Sequence, residues 1–243
     1  MKRVLLSWSS GEDSAWCLYV LRKRAEYEVV GLLTTFNEAA DRVAMHAVRR
    51  GLVEEQAAAA EIPLWPVHLP WPCSNDQYES LMSATCARAQ SEGIDGIAFG
   101  DLFLEDVRAY RKRQMKSTGL EPIFPVWGCA TLDLAREMIS SGLRAKLTCI
   151  DTTKLDSSFA GRDFDEDFLS ALPASVDPCG ENGEFHSFVY DGPMLKYPLS
   201  VTTGENVVRD RFIFTDLISL PAAGNHSTLK ATPLSRAANY VEK

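Results

Sequence analysis

The feature that most constrains the fold of this chain is the alternation of short β-rich runs with longer helical patterns over its first two thirds. Six runs predict strands: RVLLSW (3–8), EVVGLLTTF (28–36), LWPVHL (64–69), GIAFGD (96–101), PIFPVW (122–127) and AKLTCI (145–150). Two helix faces are predicted by apolar spacing, one through Tyr78, Leu81, Met82, Thr85 and Ala89 and one through Leu132, Ala135 and Ile139. The alternation is typical of parallel βαβ units. We therefore predict an α/β fold with a doubly wound parallel sheet that binds ligands at the carboxyl ends of its strands.

The pattern changes after residue 160. FDEDFLSAL (164–172) predicts a short acidic helix, and DPCGENGE (177–184) predicts a loop. FHSFVY (185–190) and RFIFTDLISL (211–220) predict antiparallel strands. The sequence thus divides into a parallel α/β domain (1–155), a smaller carboxyl-terminal α+β region (156–220) and a flexible tail (221–243).

Composition excludes several classes of protein. Of the 243 residues 46% are hydrophobic, which suits a globular core, and no apolar run reaches the roughly 20 residues that cross a bilayer. We therefore expect a cytoplasmic protein that does not enter a membrane. The six cysteines show no zinc spacing, so we expect reduced thiols. The net charge of −8 makes nucleic acid an unlikely partner, and a solvated surface is the interpretation favoured for the one basic cluster. That cluster comprises Arg108, Arg111, Lys112, Arg113 and Lys116.

The stretch LLSWSSGEDSAWC (5–17) joins the first predicted strand to a helix through small residues. A strand, a tight turn and a helix amino terminus form an anion site, because backbone N–H groups and the helix dipole converge there. Gly11 allows close approach of a ligand, and Asp13 is a candidate magnesium ligand. The hydroxyls of Ser7, Ser10 and Ser14 are candidate donors to phosphate. The competing interpretation is a helix capped by Ser9 or Ser10, with no ligand.

Two further segments contain polar residues that we expect at the edge of the sheet where ligands are predicted to bind. GDLFLEDVRAYRKRQMKSTGLEPIFPVWG (100–128) starts where the fourth strand ends, and an ordinary helix start would explain it without a ligand. DPCGENGEFHSFVYDGP (177–193) gathers acids around two glycines. Acids this dense require a cation, a proton or a donor-rich substrate nearby, unless the segment is an exposed hairpin turn.

The serine loop resembles the S-G-G-x-D-S PP-loop of ATP pyrophosphatases, with Ser10 in place of the first glycine. The order and spacing of all three segments resemble the diphthine–ammonia ligase family of these adenine nucleotide alpha hydrolase-like proteins, over residues 1–220. The resemblance implies a HUP-like sheet in 1–155 that binds ATP and Mg²⁺, a substrate side in 156–220, and release of AMP and pyrophosphate. The best-known reaction of the family joins ammonia to the carboxylate of diphthine, a modified histidine of elongation factor 2.

The resemblance also implies roles for individual residues of the three segments. The residues expected to bind nucleotide are Ser7, Ser9, Ser10, Gly11, Asp13, Ser14, Gly100, Glu105 and Arg108, with Asp13 also holding the metal. The residues expected to bind the acceptor are Asp177, Gly180, Asn182 and Gly183. The candidates for chemistry are Asp101, Glu181, Glu184 and His186, of which Glu181, Glu184 or His186 would accept a proton from ammonium.

Glu12 departs from the family pattern, which usually has lysine at this position of the loop. A glutamate reverses the sign of the charge beside the phosphates; a unit-charge pair at a few ångströms contributes about 4 kcal/mol at an effective dielectric near 20, and less with solvent exposure. Glu12 either points away and favours the helix dipole, shares magnesium with Asp13, or has weakened catalysis. We favour the first interpretation, because a loop of backbone donors does not require that side chain.

Three functions are compatible with these motifs. The leading one is an ATP-dependent ligase that uses ammonia and a carboxylate acceptor, which could belong to a protein. The second is an ATP- or AMP-binding protein with weak or no catalysis, which Glu12 favours. The third, tRNA thiolation by a related PP-loop enzyme, is disfavoured by the acidic charge and the absence of paired cysteines. The sequence leaves the acceptor and the oligomeric state open.

Overall fold

A computed structural model describes residues 1–220 and Leu234. Its strands are β1 (Lys2–Ser7), β2 (Tyr27–Asn37), β3 (Arg42–Val43), β4 (Leu64–Leu69), β5 (Gly96–Ala98), β6 (Glu121–Ile123), β7 (Arg144–Asp151), β8 (Phe185–Asp191), β9 (Val201–Arg209) and β10 (Phe212–Ser219). Its α-helices are α1 (Glu12–Lys23), α2 (Arg50–Ala60), α3 (Asn75–Ser91), α4 (Glu105–Met115), α5 (Thr131–Ser140) and α6 (Glu166–Ala171). A short 3-10 turn spans Ser157–Phe159.

The first sheet is parallel except for its short strand β3, and it is centred on β1. Strand β1 pairs in parallel with β2 on one side and β5 on the other, with Leu6 opposite both Leu32 and Ala98. Strand β4 extends the sheet beyond β2, and β6 extends it beyond β5, both in parallel. The two-residue strand β3 pairs antiparallel with the end of β2. The predicted α/β class is therefore confirmed.

Helices cover both faces of this sheet. This is required because apolar side chains along β1 point alternately to the two faces. Val4 and Leu6 are fully buried in one core, which also contains side chains of α1, α2 and α5. Leu5 faces the opposite core, which contains side chains of α3 and α4. Burying each of these aliphatic side chains contributes roughly 1.5–3 kcal/mol, so both faces hold β1 in place.

The second sheet is antiparallel, with the strand order β8-β7-β10-β9. Its edge strand β8 lies beside the loop that follows β1: the N–H of Val189 donates to the carbonyl of Ser10 at 3.0 Å. The side chain of Gln56 in α2 bridges the same two backbones, donating to Ser10 O at 3.0 Å and Val189 O at 2.6 Å. The smaller region is thus attached at the serine loop.

Several details differ from the sequence-based predictions. The AKLTCI run does not continue the parallel sheet, because β7 pairs antiparallel with β8 and β10. On α5, Leu132 is 40% exposed, whereas Leu134 and Met138 are buried with Ala135. Strands β3 and β9 were not predicted. The domain limits at 155 and 220 stay predictions, and the predicted tail lies outside the described residues except for Leu234, which is buried.

No helix within residues 1–220 combines the length and the apolarity that crossing a bilayer would require.

Candidate functional site

The serine loop connects the carboxyl end of β1 to the first turn of α1. Gly11 is the N-cap residue in an extended conformation, and no side chain caps the helix, so the competing interpretation of a cap by Ser9 or Ser10 is wrong. Ser10 has a φ of +76°, a left-handed conformation that favours glycine. This is the position at which the PP-loop motif has its first glycine. The backbone at Ser10 therefore adopts a conformation that glycine takes more easily than serine.

Two polar atoms of the loop have no hydrogen-bond partner among residues 1–220. Ser9 Oγ lies 3.2 Å from Ser14 Oγ and accepts from the N–H of Gly11, so these hydroxyls are engaged within the loop. Ser10 Oγ and Asp13 Oδ1 are buried, and neither has a hydrogen-bond partner among residues 1–220. A buried polar atom without a partner costs about 1–3 kcal/mol, and a bound ligand would remove that cost. Ser7 lies half-buried just before the loop.

Glu12 is buried and turned toward β8. Its carboxylate accepts a short hydrogen bond from Ser187 Oγ. The backbone N–H of Glu12 donates to Ser187 Oγ as well, at 3.2 Å. Burial raises the pKa of Glu12 from 4.5 to about 7; nearby Glu181 and Asp177 also raise it, against the opposing effect of the Ser187 bond. The contact favours the interpretation in which Glu12 points away, because its side chain links α1 to the second sheet. That Glu12 also favours the helix dipole stays a prediction.

The segment after β5 lies directly beside the loop. A Cβ atom at Gly100 would be 3.3 Å from Asp13, so this close approach leaves little room for a side chain. Asp101 accepts two hydrogen bonds from Arg111, at 2.6 and 3.0 Å. The Arg111 guanidinium also covers the Phe99 ring at 4.4 Å. Arg111 therefore fixes the orientation of Asp101.

The other residues predicted from this segment lie farther out. The side chain of Glu105 is 77% exposed, and its carboxylate is 3.8 Å from Arg108. The Arg108 guanidinium stacks over Trp127 at 4.3 Å. The expectation that the whole basic cluster is a solvated surface is wrong for Arg108 and Arg111, which pack on aromatic rings, whereas Lys112 and its neighbours Arg113 and Lys116 are exposed.

The acidic loop 177–184 is an ordered structure and not an exposed hairpin turn. Asp177 Oδ1 accepts from the N–H groups of Cys179 and Glu181, and its Oδ2 accepts from Thr131 Oγ at 2.7 Å. Glu184 is buried and accepts from the N–H of Asp177 and from the Asn182 side chain, each at 3.2 Å. These bonds hold the loop from within.

Two glycines of this loop have positive φ values, as the turn requires. Gly180 has a φ of +66°, and a Cβ there would be 2.9 Å from the Phe185 carbonyl. Gly183 has a φ of +76° and lies in open space. Asn182 is exposed, and its carbonyl accepts from Lys154 at 2.7 Å.

Glu181 joins the acidic loop to the segment after β5. Its carboxylate accepts from the N–H of Leu102 at 2.8 Å and from that of Phe103 at 3.4 Å. Burial is also the main cause that raises the pKa of Glu181. The structure therefore brings all three predicted segments together around the serine loop.

The site is strongly acidic. Burial raises the pKa of Asp13 well above its ordinary value, and the charges of Glu12, Glu181, Asp177 and Asp101 raise it further. Such a cluster repels bare phosphates and attracts a ligand that brings a cation. Within residues 1–220 no three Asp, Glu, His or Cys side chains are placed to hold a metal by themselves. A magnesium ion bound at Asp13 would therefore need other ligands, such as water or phosphate oxygens, as Mg²⁺ commonly has.

His186 lies apart from these acids. Neighbouring side chains alternate across a strand, and Ser187 faces Glu12, so His186 is on the other face of β8. Its ring contacts His46, with centroids 4.2 Å apart and an interplanar angle of 61°. Burial lowers the pKa of His186 to about 4, which makes it a weak base at neutral pH.

The sequence-based reasoning missed four residues: His46, Gln56, Arg111 as a partner of Asp101, and Ser187. Strand alternation in FHSFVY could have placed Ser187 opposite His186. The other three contacts join positions far apart in the chain, and no local pattern signals them.

The structure thus defines an α/β protein with a strained serine loop at the end of its central strand and an acidic second loop beside it. The family described as Diphthamide synthase C-terminal domain matches residues 130–216. The chain is 28% identical to the human diphthine–ammonia ligase over 177 residues, which cover 70% of this chain and 66% of the human protein. It is 28% identical to the rat enzyme over 159 residues (63% and 60%) and to the bovine enzyme over 167 residues (67% and 62%).

The chain is therefore similar to diphthine–ammonia ligases over 63–70% of its length. Its matches span slightly less than two thirds of the length of these relatives.

Proposed function

We propose that this protein is an ATP-dependent ligase that activates a carboxylate as its adenylate and transfers ammonia to it, releasing AMP and pyrophosphate. Similarity to diphthine–ammonia ligases supports an amide-forming reaction. The observation that carries the proposal is the contact of Glu181 with the backbone of Leu102 and Phe103, because it joins the acidic loop to the segment beside Asp13.

The first half-reaction would take place at the serine loop. A carboxylate is a poor electrophile, because ammonia would have to displace an oxide ion from it. Attack of the carboxylate on the α-phosphate of ATP forms an acyl-adenylate and releases pyrophosphate. Ammonia then displaces AMP, which is a much better leaving group. The Ser10 hydroxyl, which has no partner among the described residues, and N–H groups of the loop would bind the phosphates that depart as pyrophosphate. Magnesium held with Asp13 would offset the phosphate charge. Gly100 leaves the space that a close approach to Asp13 requires.

The remaining residues predicted for nucleotide binding surround this loop. Ser7, Ser9 and Ser14 lie in or next to it, whereas Arg108 and Glu105 lie on the first turns of α4. Arg108 Nε is buried and has no hydrogen-bond partner among the described residues, so this guanidinium retains a donor for the nucleotide.

The second half-reaction would take place beside the acidic loop. Ammonium must lose a proton before it can attack the adenylate. Glu181, whose pKa is raised by burial, is better matched to accept that proton than His186, whose pKa is about 4. Asp177, Gly180, Asn182 and Gly183 would bind the acceptor, with Glu184 holding Asp177 and Asn182 in place. We propose a carboxylate on a protein as the acceptor, with diphthine of elongation factor 2 as the first to test.

The proposal predicts pyrophosphate release that requires ATP, Mg²⁺, ammonia and the acceptor together. Asp13→Asn removes the charge that would hold magnesium while keeping the size of the side chain, so we expect pyrophosphate release to fall at least a hundredfold, the scale typical of a lost electrostatic contact. Asp133→Asn, at an exposed position of α5, is the matched control and should retain parental activity. Equal activities of the two variants would count against the assignment of Asp13.

A specific observation also supports the alternative of an ATP- or AMP-binding protein with weak or no catalysis. Glu12 replaces the usual lysine and adds a carboxylate to an acidic cluster, without a compensating cation on the loop. This alternative predicts magnesium-dependent nucleotide binding without pyrophosphate release, even with diphthine-bearing elongation factor and ammonia present.

A further inference from the structure

Gln56 of α2 is a fully buried polar side chain with a complete set of partners. Its Oε1 accepts from the indole N–H of Trp8 at 2.9 Å. Its Nε2 donates to the carbonyl of Ser10 at 3.0 Å and to that of Val189 at 2.6 Å. Burying an amide costs free energy unless its groups are bonded, and an apolar residue would pack here without that cost. The three bonds of Gln56 to the serine loop and to β8 therefore call for a function.

The orientation of the Gln56 amide follows from its partners. The indole N–H of Trp8 can only donate a hydrogen bond, and the two carbonyls can only accept one. The amide oxygen must therefore face Trp8, and the amide nitrogen must face Ser10 and Val189. Only one arrangement of this side chain satisfies all three partners, so Gln56 fixes the serine loop relative to α2 and β8.

The carbonyl of Ser10 is held by two hydrogen bonds. Besides Gln56 Nε2, the N–H of Val189 donates to it at 3.0 Å. A carbonyl oxygen has two lone pairs, so both are used. Because the peptide group is planar, the orientation of this carbonyl also sets that of the N–H of Gly11, which donates to Ser9 Oγ.

The peptide that is held in this way belongs to a residue in an unfavourable conformation. Ser10 has a φ of +76°, whereas residues with a Cβ atom favour negative φ values. Such a conformation persists only where the surroundings enforce it, and the two bonds to the Ser10 carbonyl are such a restraint. The conformation of Ser10 sets the direction in which the chain enters α1. It therefore also sets where the N–H groups of the first turn point.

We propose that Gln56 is a positioning residue for nucleotide binding, which holds the Ser10 peptide so that the first-turn N–H groups of α1 face the phosphates of the nucleotide. This inference rests on the proposed function, because it concerns the loop that would bind ATP. Gln56 acts through the backbone of Ser10 and does not itself contact the nucleotide. The three hydrogen bonds of Gln56 and the φ of Ser10 carry the inference.

Hydrogen exchange tests whether Gln56 holds the loop, and it requires no nucleotide. Gln56→Met keeps a side chain of similar size and removes all three bonds. We expect the amide of Val189, which donates to Ser10, to exchange about tenfold faster in this variant, as expected for one weakened hydrogen bond. The amide of Asp151, which donates to Glu184 just before β8, is the internal reference for changes in global stability. Unchanged exchange of Val189 relative to Asp151 would overturn the inference.

Calorimetric titration with ATP and Mg²⁺ tests the consequence for binding. We expect Gln56→Met to weaken the affinity about tenfold, the scale set by the cost of one left-handed residue. Thr148→Val is the matched control, since it also removes a buried hydrogen bond, to the carbonyl of His186, but lies outside the serine loop. It should bind Mg-ATP like the parent. Equal losses of affinity in the two variants would overturn the inference, because destabilisation alone would then explain them.

Ser10→Gly separates positioning from packing. Glycine adopts a positive φ without strain, so a loop with glycine at this position should depend less on Gln56. We expect Gln56→Met to weaken Mg-ATP binding by at most about twofold when residue 10 is glycine, against about tenfold when it is serine. Each ratio is measured within one background, so the loss of the Ser10 hydroxyl cancels in the comparison. Equal ratios in the two backgrounds would overturn the inference.

These experiments separate the inference from the proposed function. Binding of Mg-ATP to the parent with unchanged affinity in Gln56→Met would overturn the inference alone. No binding of Mg-ATP to the parent would overturn the proposed function and, with it, a role of Gln56 in nucleotide binding. Faster exchange of Val189 in Gln56→Met would then still show that Gln56 fixes the Ser10 peptide.

Discussion

Asp216→Ala is expected to lower the free energy of unfolding by about 3–5 kcal/mol, the range found when one partner of a buried ion pair is removed. The side chains of Asp216 and Arg42 are each only 2% exposed. Asp216 is bonded to both Arg42 and Arg49, so its loss leaves two guanidinium groups without their common counter-charge. Burial already lowers the pKa of Arg42, which shows that the surroundings alone disfavour this charge.

Urea denaturation of the parent and the variant would measure this effect. Glu92→Ala is the matched control, since the Arg88–Glu92 pair has a similar distance of 2.8 Å but lies on the surface of the protein. An exposed pair of this kind contributes at most about 1 kcal/mol. Similar losses in Asp216→Ala and Glu92→Ala would show that the buried network does not hold the two sheets together as described.

The second large effect is a pH dependence of stability caused by Glu12. Its pKa is raised from 4.5 to about 7 in the folded protein, so the folded state keeps a proton that the unfolded chain has lost between these pH values. The stabilisation is fully present below the unfolded pKa and is lost as the pH rises through the folded pKa. A shift of this size corresponds to about 3 kcal/mol. Asp13 acts in the same direction, because its pKa is also raised.

His46 and His186 oppose this trend. Their pKa values are lowered on folding, so their contribution to stability increases as the pH rises toward the ordinary histidine value of 6.5. The net slope of the parent therefore combines both effects. A variant that removes only the Glu12 titration is needed to separate them.

Glu12→Gln is that variant, because glutamine still accepts the hydrogen bond from Ser187 and does not titrate. We expect the stability of Glu12→Gln relative to the parent to increase steadily between pH 4.5 and about 7, as measured by urea denaturation at a series of pH values. A difference that is constant over this range would contradict the raised pKa of Glu12.

The sequence was sufficient for much of the fold because its strands are local patterns. LWPVHL coincides with β4, and FHSFVY lies within β8. The parallel order also followed from the alternation of elements. The same alternation could not reveal that β7 belongs to the antiparallel sheet, because a buried apolar run does not specify the strands with which it pairs. The edge strand β9 is largely exposed and has no clear alternation, so it carried no signal.

The parts of the site that lie within a sequence motif could be predicted. The parts that depend on contacts between residues far apart in the chain could not. The three segments are recognisable in the sequence, and they do meet around the serine loop. The partner of Glu12 is Ser187, 175 positions away, and no rule of spacing connects these residues. The charge of Glu12 suggested a conflict with phosphates, but its orientation depends on how β8 docks against the loop. The partner of His186 was hidden in the same way, because a histidine in a strand does not indicate which loop covers it.

The proposed function requires the serine loop to bind Mg-ATP through Asp13, and a titration of the protein with ATP tests this requirement most directly. Trp8 and Trp16 flank the loop and are buried, so their fluorescence should report binding. We predict saturable quenching or enhancement with ATP that requires Mg²⁺ and is lost in Asp13→Ala. Binding that is independent of magnesium, or unchanged in Asp13→Ala, would contradict the account.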